Sequence, residues 1–373
     1  MAGLNILYGV VGEGMGHATR SAVVLSHLLA RGHRVKVVAS GRAHRFLEAR
    51  FPDVDRIHGL HIVYQDNEVQ RRETVLSNLL QLPDNLSTNI GAYMELVGEF
   101  EPDIVISDFD SFAWLYAQNH RKPIISIDNM QVINRCRHAD LPPAHERDFL
   151  LNRALVKSKL PGCDHYFITT FFFPPVRKRR TTLVPSILRD QILKAPVRDG
   201  EHVLVYQTSP SFTGLVPALQ AMSDHRFKVY GLNRNEDLGN VTLHSFSEDG
   251  FIADLASSRA VIANGGFTLM SEAVYLRKPV LSVPVGKQFE QVLNGHYLYR
   301  LGYGESWDDL DADTITHFLR NVPRYRDNLG EYRQDGNQVL FEALDEALPI
   351  LAEGRPLPDT FDEPLDEDDT SLR

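Results

Sequence analysis

Residues 260–304 read AVIANGGFTLMSEAVYLRKPVLSVPVGKQFEQVLNGHYLYRLGYG, and this stretch decides the fold. The apolar run at 260–263 predicts a buried strand, the diglycine at 265–266 predicts a turn, and the apolar spacing from Thr268 predicts a helix. A second apolar strand is predicted at 279–285, with a polar loop after it. Unpaired backbone N–H groups and the helix dipole at such a turn both favour negative charge. The turn therefore predicts a diphosphate site.

Acidic and amide side chains follow the turn at positions that suit a sugar nucleotide. Glu272 lies one turn into the predicted helix, where its carboxylate could accept hydrogen bonds from a ribose diol. Glu290 and Gln291, in the loop after the second strand, carry acid and amide groups that suit sugar hydroxyls. This set fits a sugar nucleotide better than a bare nucleotide. The plainer alternative is a strand, turn and helix of a doubly wound sheet with a solvated polar loop.

These residues, with their spacing, resemble a known donor-binding signature. The stretch is similar to that of inverting glycosyltransferases of the GT-B fold, of the family 28 kind, which includes the lipid-linked N-acetylglucosaminyltransferase of peptidoglycan synthesis. The matching residues are Gly265, Gly266, Thr268, Glu272, Ala273, Pro279, Pro284, Gln288, Glu290, Gln291 and Asn294. In one departure, Asn264 stands where many plant relatives carry a phosphate-binding histidine. Because an amide has no positive charge, a diphosphate here would depend more on backbone N–H groups.

The resemblance implies a donor site to which several segments contribute. After a predicted strand at 202–206, a polar turn brings Thr208 and Ser209 to the diphosphate. The base-recognition loop of the family carries over to Phe246 and Ser247, with a core role for the Phe246 ring as the alternative. The expected donor-binding residues are Gly16, Thr208, Ser209, Phe246, Ser247, Asn264, Gly265, Gly266, Phe267, Thr268, Glu272, Gln288, Glu290 and Gln291.

A glycine loop follows the first predicted strand. Residues 4–11 are apolar, and GEGMGH follows at 12–17 before a helical pattern and a second strand at 34–39. Dinucleotide-binding folds begin in the same way. Here the third glycine is missing from its expected offset and no acid ends the second strand, although Arg42 could be argued to bind the 2′-phosphate of NADP. The pattern predicts the opening of a right-handed α/β domain, with an NADP site as the weaker interpretation.

His17 ends this glycine loop, at the ligand-binding edge of the first strand. Taking a proton from an acceptor hydroxyl near neutral pH suits a histidine, and the position matches the histidine of the family's glycine-rich loop. A loop histidine that only caps the helix is the alternative. The strand predicted at 103–107 is followed by Asp108 and Asp110, either of which could orient His17. The resemblance favours Asp108.

The sequence Asp108-Phe109-Asp110 also resembles the acidic motif that binds manganese in the other large glycosyltransferase fold. Its place in the first domain, away from the donor signature, argues against that role. We therefore expect a reaction without a metal or other cofactor, in which the nucleotide sugar is a co-substrate. The corresponding expectation is that EDTA leaves the activity intact.

Composition restricts the class of protein. The chain has 373 residues, of which 43% are hydrophobic and 24% charged, and its formal net charge of -10 argues against nucleic-acid binding. Cys136 and Cys163 are too few for a disulfide framework or a zinc site. The sequence contains no apolar run of membrane-spanning length and no signal-peptide pattern at its start. We expect a cytoplasmic protein, with peripheral contact to the inner face of a membrane as an option.

Two domains follow from the length and from two runs of alternating strands and helices. The fold class expected is α/β, with two doubly wound Rossmann-like domains that face each other across a cleft (GT-B) and a C-terminal helix that crosses back to the first domain. The expected boundaries are 1–184 for the acceptor-side domain, 185–198 for the linker, 199–325 for the donor domain, 326–352 for the helices that cross back, and 353–373 for an acidic disordered tail.

One basic block follows aromatic residues at 171–180, which read FFFPPVRKRR. Aromatic side chains beside cations could rest on an anionic membrane surface or meet a charged acceptor. A strand end with a solvated turn is the simpler interpretation.

Together, the residues and the resemblance predict an inverting hexosyltransferase that uses a nucleoside diphosphate sugar, with a UDP-sugar as the first choice, and a hydroxyl acceptor. His17 is the expected base, and the turn and helix at 265–272 are expected to hold the diphosphate leaving group. The acceptor is unknown; the resemblance makes a lipid-linked molecule and a cell-envelope glycan options. The alternatives are a UDP-sugar epimerase on the same fold and a non-catalytic subunit that binds sugar nucleotides.

Overall fold

The computed structural model describes residues 3–12, 14–59, 64–65, 68–69, 89, 93, 100–207, 214–285 and 288–362. The chain divides into two compact units. Unit 1 comprises residues 1–62, 72–187 and 335–373, and unit 2 comprises residues 63–71 and 188–334.

Unit 1 is built on a parallel sheet of seven described strands. The strands in the first half of the chain are β1 (Asn5–Val10), β2 (Arg34–Ala39), β3 (Val54–Arg56), β4 (Tyr64–Gln65), β5 (Glu68–Val69), β6 (Ile104–Asp108), β7 (Ile124–Asp128), β8 (His165–Thr170) and β9 (Thr181–Pro185). Their order in the sheet is β3-β2-β1-β6-β7-β8-β9, while β4 and β5 form a separate antiparallel pair. Every residue of β6, β7 and β8 is buried, as expected for parallel strands covered by helices on both faces.

The order of the strands reverses between β1 and β6. The helices described in this part of unit 1 are α1 (Met15–Ala30), α2 (Gly41–Glu48), α3 (Ser111–His120), α4 (Val132–Arg135) and α5 (Glu146–Lys159). In open α/β sheets, ligands bind beyond the carboxyl ends of the strands at such a reversal. Val10 and Asp108, which are paired at the carboxyl ends of β1 and β6, mark this point.

The stretch predicted as a linker is mostly a fixed part of unit 2. Unit 1 ends at Ile187 and unit 2 resumes at Leu188. Arg189 then bonds to Glu272 of the same unit, and a short helix, α6 (Asp190–Leu193), follows. The expectation of a linker over 185–198 is corrected accordingly, because side-chain pairing fixes the segment from Leu188 onward to unit 2.

Unit 2 repeats the doubly wound architecture. Its further strands are β10 (His202–Tyr206), β11 (Arg226–Tyr230), β12 (Glu236–Asp237), β13 (Val241–His244), β14 (Ala260–Ala263), β15 (Val280–Ser282) and β16 (Gly304–Ser306). Its further helices are α7 (Leu215–Gln220), α8 (Glu248–Ala256), α9 (Phe267–Tyr275), α10 (Phe289–Arg300) and α11 (Ala312–Leu329). The sheet order is β12-β13-β11-β10-β14-β15-β16, with β12 antiparallel at the edge. The reversal falls between β10 and β14, where Tyr206 pairs with Ala263.

The end of the described chain returns to unit 1. Helix α11 stays with unit 2, where Phe318 and Val322 lie in the core. Helix α12 (Gln338–Ala352) places Leu344 and Leu348 in the core of unit 1. The expected C-terminal helix that crosses back to the first domain is therefore present, although unit 1 resumes at Asp335 and not at residue 326.

The predicted disorder from residue 353 is wrong for residues 353–362. Phe361 is only 8% exposed and belongs to the core of unit 1, with Leu357 packed beside it. Asp362 Oδ1 accepts a hydrogen bond from the Thr181 backbone N–H at 3.0 Å. The acidic composition hid these two apolar anchors, which supply the buried surface that disordered segments lack. Residues 363–373 lie outside the described part of the chain.

Candidate functional site

A glycine turn brings His17 to the carboxyl edge of the unit 1 sheet. Gly14 precedes α1 with φ 85° and ψ 139°, a left-handed conformation that glycine adopts without strain. Gly16 and His17 then lie in the first helical turn, and both are half-buried. No side chain caps this end of α1 among the described residues. The first N–H groups of α1, beside His17, have no partner within the helix itself.

His17 and Asp108 are in contact. His17 Nδ1 lies 2.8 Å from Asp108 Oδ1. Asp108 is the last residue of β6 and is fully buried, whereas the His17 side chain retains 16% exposure. The two residues thus meet at the strand reversal of unit 1. The Asp108 carboxylate lies on the buried side of the imidazole, and the imidazole keeps some exposure to solvent. This is the arrangement in which an acid orients a histidine.

Two further α1 side chains hold the same carboxylate. Arg20 donates from Nε to Asp108 Oδ2 at 2.7 Å and from Nη2 to Asp108 Oδ1 at 2.5 Å. Ser21 Oγ donates to Asp108 Oδ2 at 2.9 Å. Burial alone would raise the pKa of Asp108, but the charges of Arg20 and His17 and their hydrogen bonds outweigh it and lower the pKa to about 2. Asp108 is therefore a carboxylate throughout the physiological pH range.

Arg20 also connects Asp108 to the next strand. Its Nη1 donates to Oδ1 of Asn129, the residue after β7. Asp128, which ends β7, has its carboxylate engaged locally: Ser126 Oγ donates to it at 2.5 Å and the Gln131 backbone N–H at 2.8 Å. The sequence analysis did not identify Arg20. The available signal was its spacing of three residues from His17, which puts both on one face of α1.

Asp110, the alternative partner for His17, serves α3 instead. It is the N-cap residue, and its Oδ1 accepts from the Ala113 backbone N–H at 2.9 Å. Burial raises its pKa to about 6, against the opposing effect of that hydrogen bond. Asp108 is the carboxylate in contact with His17.

Within the described ranges, no group of three or more His, Cys, Asp or Glu side chains could hold a metal ion.

We expect Asp110→Asn to raise the free energy of unfolding by about 1–3 kcal/mol at pH 8 and to change it little at pH 4. The pKa of this carboxyl rises from 3.8 to about 6 on folding. Its contribution to stability is therefore complete below pH 3.8 and is lost as the pH rises through 6. Asparagine preserves the cap without the buried charge. Urea unfolding at both pH values measures the effect; an equal gain at pH 4 and pH 8 would contradict it.

The diglycine turn of unit 2 is locked by its neighbours. Gly265 has φ 84°, and a Cβ atom added there would lie 2.7 Å from Ser282 Oγ. Asn294 Nδ2 donates to the Gly265 carbonyl oxygen at 3.1 Å. Gly266 is the N-cap of α9. Within the part of the chain that the structure describes, a Cβ atom added there would meet nothing within 4 Å and no side chain forms a capping hydrogen bond.

Gly265→Ala is expected to lower the free energy of unfolding by about 1–3 kcal/mol, because alanine is strained at positive φ and its Cβ collides with Ser282. Gly266→Ala is the matched control. At that position φ is -62° and the space is open, so we expect a change within about 0.5 kcal/mol. Urea unfolding of the two variants gives the comparison. Equal stability of the two variants would show that position 265 does not require a glycine for its positive φ or for its contact with Ser282.

Glu272 is buried and already paired. It is 2% exposed, and its two oxygens accept from Arg189 Nε at 2.8 Å and Nη2 at 2.9 Å. Arg189 Nη1 also donates to Glu248 Oε1 at 2.9 Å. Burial raises the pKa of Glu272, and Arg189 opposes that rise. A ribose diol could use only the carboxylate lone pairs that Arg189 leaves, since a carboxylate has about four acceptor positions.

The amide and acid groups predicted in a loop after β15 lie instead at the start of α10, where Gln288 is the N-cap residue. Gln291 Oε1 accepts from the Val285 backbone N–H at 2.8 Å, and its Nε2 donates to Gln288 Oε1. Glu290 Oε1 lies 3.5 Å from Asn294 Nδ2. Gln288 and Gln291 are therefore in contact with each other, and Glu290 approaches Asn294, which bonds to the diglycine turn. Thr208 and Ser209, expected at the diphosphate, lie outside the described residues.

The remaining predicted donor residues differ in what they can offer. Asn264 Nδ2 donates to the Val283 carbonyl at 3.3 Å, and its Oδ1 is buried without a hydrogen-bond partner in the described structure. Phe246 is 57% exposed, which excludes the core role considered for it. Ser247 caps α8 by accepting from the Gly250 N–H at 3.3 Å. Phe267 is only 6% exposed, so its contribution is limited to its backbone, while Thr268, the next residue of α9, is half-buried.

Part of the aromatic and basic block at 171–180 is buried. Phe171 and Phe172 are buried with their ring centroids 5.0 Å apart, and Phe173 is 56% exposed. Lys178 Nζ donates to Asn134 Oδ1 at 2.6 Å. The prediction of an exposed surface with three aromatic rings beside cations is therefore wrong. Phe171 and Phe172 are buried, and only the Phe173 ring is exposed. Across the described ranges, no helix has the length and apolar character that crossing a membrane requires.

Comparison with known sequences identifies relatives over nearly the whole chain. The family model for glycosyl transferase family 1 matches residues 4–323. An uncharacterized glycosyltransferase of Methanosarcina mazei is 23% identical over 381 residues, covering 92% of this chain and 98% of that protein. The UDP-N-acetylglucosamine–N-acetylmuramyl-(pentapeptide) pyrophosphoryl-undecaprenol N-acetylglucosamine transferase 3 of Bacillus cereus is 29% identical over 103 residues, which cover 25% of this chain and 28% of that enzyme.

Solved structures show the same fold. The calicheamicin glycosyltransferase CalG4 superposes with a TM-score of 0.66 at 20% identity, covering 96% of this chain and 100% of that one. Phytolacca americana UGT2, complexed with UDP-2-fluoro-glucose and pterostilbene, gives a TM-score of 0.64 at 14% identity, covering 93% and 99% of the two chains. These similarities confirm the GT-B fold that the sequence predicts.

Proposed function

The chain belongs to glycosyl transferase family 1 and is a glycosyltransferase, and we propose that it transfers a sugar with inversion from a nucleoside diphosphate sugar to a hydroxyl acceptor. The contact between His17 Nδ1 and Asp108 Oδ1 carries this proposal. When Nδ1 donates to the carboxylate, Nε2 keeps its lone pair and can accept the proton of the attacking hydroxyl. A single displacement at the anomeric carbon then inverts its configuration.

The leaving diphosphate is assigned to the turn of unit 2. Among the described residues, no side chain caps α9 at Gly266, and the amino end of a helix favours a bound anion. Asn264 adds an amide and no positive charge. Stabilisation of the developing negative charge therefore falls mainly to fixed backbone dipoles, which need no reorganisation during the reaction.

The donor is proposed to be a UDP-sugar. Two of the similar proteins carry UDP-sugars in their names, UDP-N-acetylglucosamine for the Bacillus cereus enzyme and UDP-2-fluoro-glucose for the Phytolacca americana complex. Glu272 is assigned to the ribose, and Gln288, Glu290 and Gln291 to the sugar hydroxyls. Arg189 holds Glu272 in place by two hydrogen bonds, which fixes the carboxylate before the donor arrives.

A thermal-shift screen over nucleoside diphosphate sugars tests the donor, because a ligand that binds only the folded chain raises its stability. The stabilising sugar nucleotide is then incubated with a panel of hydroxyl acceptors, including lipid-linked ones, and UDP release is followed. Release that depends on an acceptor supports transfer. Epimerisation of the donor without an acceptor would indicate an epimerase, and binding without any turnover would indicate a sugar-nucleotide-binding subunit.

The reaction is proposed to proceed without a metal, since the diphosphate is assigned to the backbone of the α9 turn. We expect the transfer rate to be the same, within error, in EDTA and in manganese-supplemented buffer. The measurement is the initial rate of UDP release in each buffer. Loss of activity in EDTA with recovery in manganese would overturn this part of the proposal.

Contact with a membrane is a further option only for the exposed part of the block at 171–180. Phe173, Arg179 and Arg180 are exposed there. Sedimentation with acidic liposomes, comparing wild type with a variant in which both arginines are changed to serine, tests this contact. Equal pelleting of the two proteins would remove it.

A further inference from the structure

Arg20 occupies a buried position behind the proposed base. Its side chain is only 4% exposed, and its Nε and Nη2 atoms donate to the two oxygens of Asp108 at 2.7 and 2.5 Å. Its third nitrogen, Nη1, donates to Asn129 Oδ1. Two parallel hydrogen bonds to one carboxylate use the planar fork of a guanidinium, which lysine cannot reproduce. Arg20 therefore fixes both the position and the rotation of the Asp108 carboxylate.

The His17 imidazole meets both members of this ion pair. Nδ1 lies 2.8 Å from Asp108 Oδ1 and 2.6 Å from Arg20 Nη2. These contacts require opposite positions of the imidazole proton, because a carboxylate oxygen only accepts and a guanidinium nitrogen only donates. A proton on Nδ1 leaves Nε2 free to act as a base. A proton on Nε2 makes His17 a donor to the acceptor hydroxyl and stops the chemistry.

The geometry favours the proton on Nδ1. The three atoms form a triangle with sides of 2.5, 2.6 and 2.8 Å, so the directions from Nη2 to Oδ1 and to Nδ1 differ by roughly 65°, whereas the two N–H bonds of a planar nitrogen diverge by about 120°. Nη2 therefore cannot direct straight hydrogen bonds at both atoms. The fork pairing with Nε already commits one hydrogen to Oδ1, which leaves only a bent contact to Nδ1, weaker than an aligned one.

We infer that Arg20 is a positioning residue that selects the Nδ1-protonated tautomer of His17 by holding Asp108 Oδ1 against Nδ1. This inference rests on the proposed role of His17 as the general base. Neither charged partner of the imidazole changes its proton, since arginine stays protonated in proteins and Asp108 keeps a pKa of about 2. The imidazole proton is thus the mobile one among these three side chains.

Loss of Arg20 has a defined pH signature. The groups acting on Asp108 are His17, Arg20 and Ser21 on α1, with Tyr8 on β1, Asp110 after β6 and Asp128 at the end of β7. Without Arg20, burial and the neighbouring acids would raise the pKa of Asp108. A protonated Asp108 would donate to Nδ1 and favour the inactive tautomer. Activity of Arg20→Met should therefore be lost as the pH falls and recover as it rises, with its midpoint at a higher pH than in wild type.

The experiment is ¹⁵N NMR of histidine-labelled protein, with His17 assigned from the spectrum of His17→Gln. In wild type at pH 8 we expect a protonated Nδ1 and an unprotonated Nε2. In Arg20→Met this preference should be weaker at pH 8 and should recover as the pH rises further. Arg20→Lys keeps a charge but not the fork, and we expect kcat to fall about 10-fold to 100-fold with KM little changed, by analogy with outer-shell partners that orient metal-bound histidines. Arg45→Met removes an exposed arginine of α2 and serves as the control.

Each outcome decides the question. A wild-type spectrum with the proton on Nε2, or an unchanged tautomer in the Arg20 variants, overturns the inference. If circular dichroism shows that Arg20→Met is unfolded, the wild-type and Arg20→Lys spectra still decide it. The NMR experiment needs no substrate, so it tests the inference separately from the proposed function. If the tautomer depends on Arg20 but the protein has no transferase activity, the proposed function is refuted and the selection of the tautomer by Arg20 still holds.

Discussion

The His17→Ala variant is expected to lose about 100-fold to 10,000-fold in kcat while its affinity for the donor stays nearly unchanged. His17 Nδ1 is engaged with Asp108 Oδ1 at 2.8 Å, which leaves Nε2 for the acceptor proton. The residues assigned to the donor's diphosphate, ribose and sugar lie in unit 2 and keep their contacts in this variant. A loss confined to kcat is the mark of an interaction made in the transition state.

Initial rates of UDP release give kcat, and calorimetry with UDP gives the affinity. His27→Ala is the matched control, because His27 lies on the same helix but bonds to Asp345 at 2.9 Å. It should keep the wild-type turnover. If His17→Ala also keeps it, His17 is not the base. If donor affinity falls in proportion to kcat, His17 binds the donor and does not deprotonate the acceptor.

The central strands of both units could be predicted from the sequence because they are short apolar runs with sharp polar or glycine boundaries. The predicted strands at 202–206 and 260–263 coincide with β10 and β14. The edge strand β9 reads TTLVP, in which two threonines and a proline weaken the apolar signal. Proline is tolerated at the end of an edge strand, so Pro185, the first residue of the expected linker, ends the last strand of the unit 1 sheet.

Part of the candidate site follows from topology alone. His17 and Asp108 follow or end strands on either side of the reversal in unit 1, and parallel strands bring their carboxyl ends to one edge. Their contact could therefore be anticipated. Arg20 could have been placed beside this pair by its spacing of three residues from His17. The pairing of Arg189 with Glu272, across 83 residues, could not be anticipated. Local patterns contain no information on which distant carboxylate a buried guanidinium will meet.

The second large effect is expected at Asp108. Replacing Asp108 by asparagine should lower kcat by about 1,000-fold to 10,000-fold, the range known for an orienting aspartate whose loss permits the wrong histidine tautomer. An asparagine side chain can present its N–H₂ group to Nδ1, which would then accept and leave the proton on Nε2. The change also leaves the buried Arg20 guanidinium without its charged partner. Breaking such a pair costs about 3–5 kcal/mol of stability.

The pH dependence of stability separates the ion pair from simple packing. The pKa of Asp108 is lowered on folding from 3.8 to about 2, so its stabilising contribution is complete above pH 3.8 and disappears as the pH falls through 2. The gap in unfolding free energy between wild type and Asp108→Asn should therefore be widest near neutral pH and should narrow as the pH falls toward 2. A gap that stays constant over that range would point to lost packing, with no contribution from the charge.

The kinetic effect must also be distinguished from partial unfolding. Asp110→Asn is the appropriate control, since Asp110 is a fully buried carboxylate two residues away that caps α3 and does not contact His17. We expect this control to keep the wild-type kcat at a temperature where both variants are folded by circular dichroism. Equal losses in the two variants would mean that buried charge at the end of β6, and not the orientation of His17, limits the rate. A loss in Asp108→Asn alone would assign that orientation to Asp108.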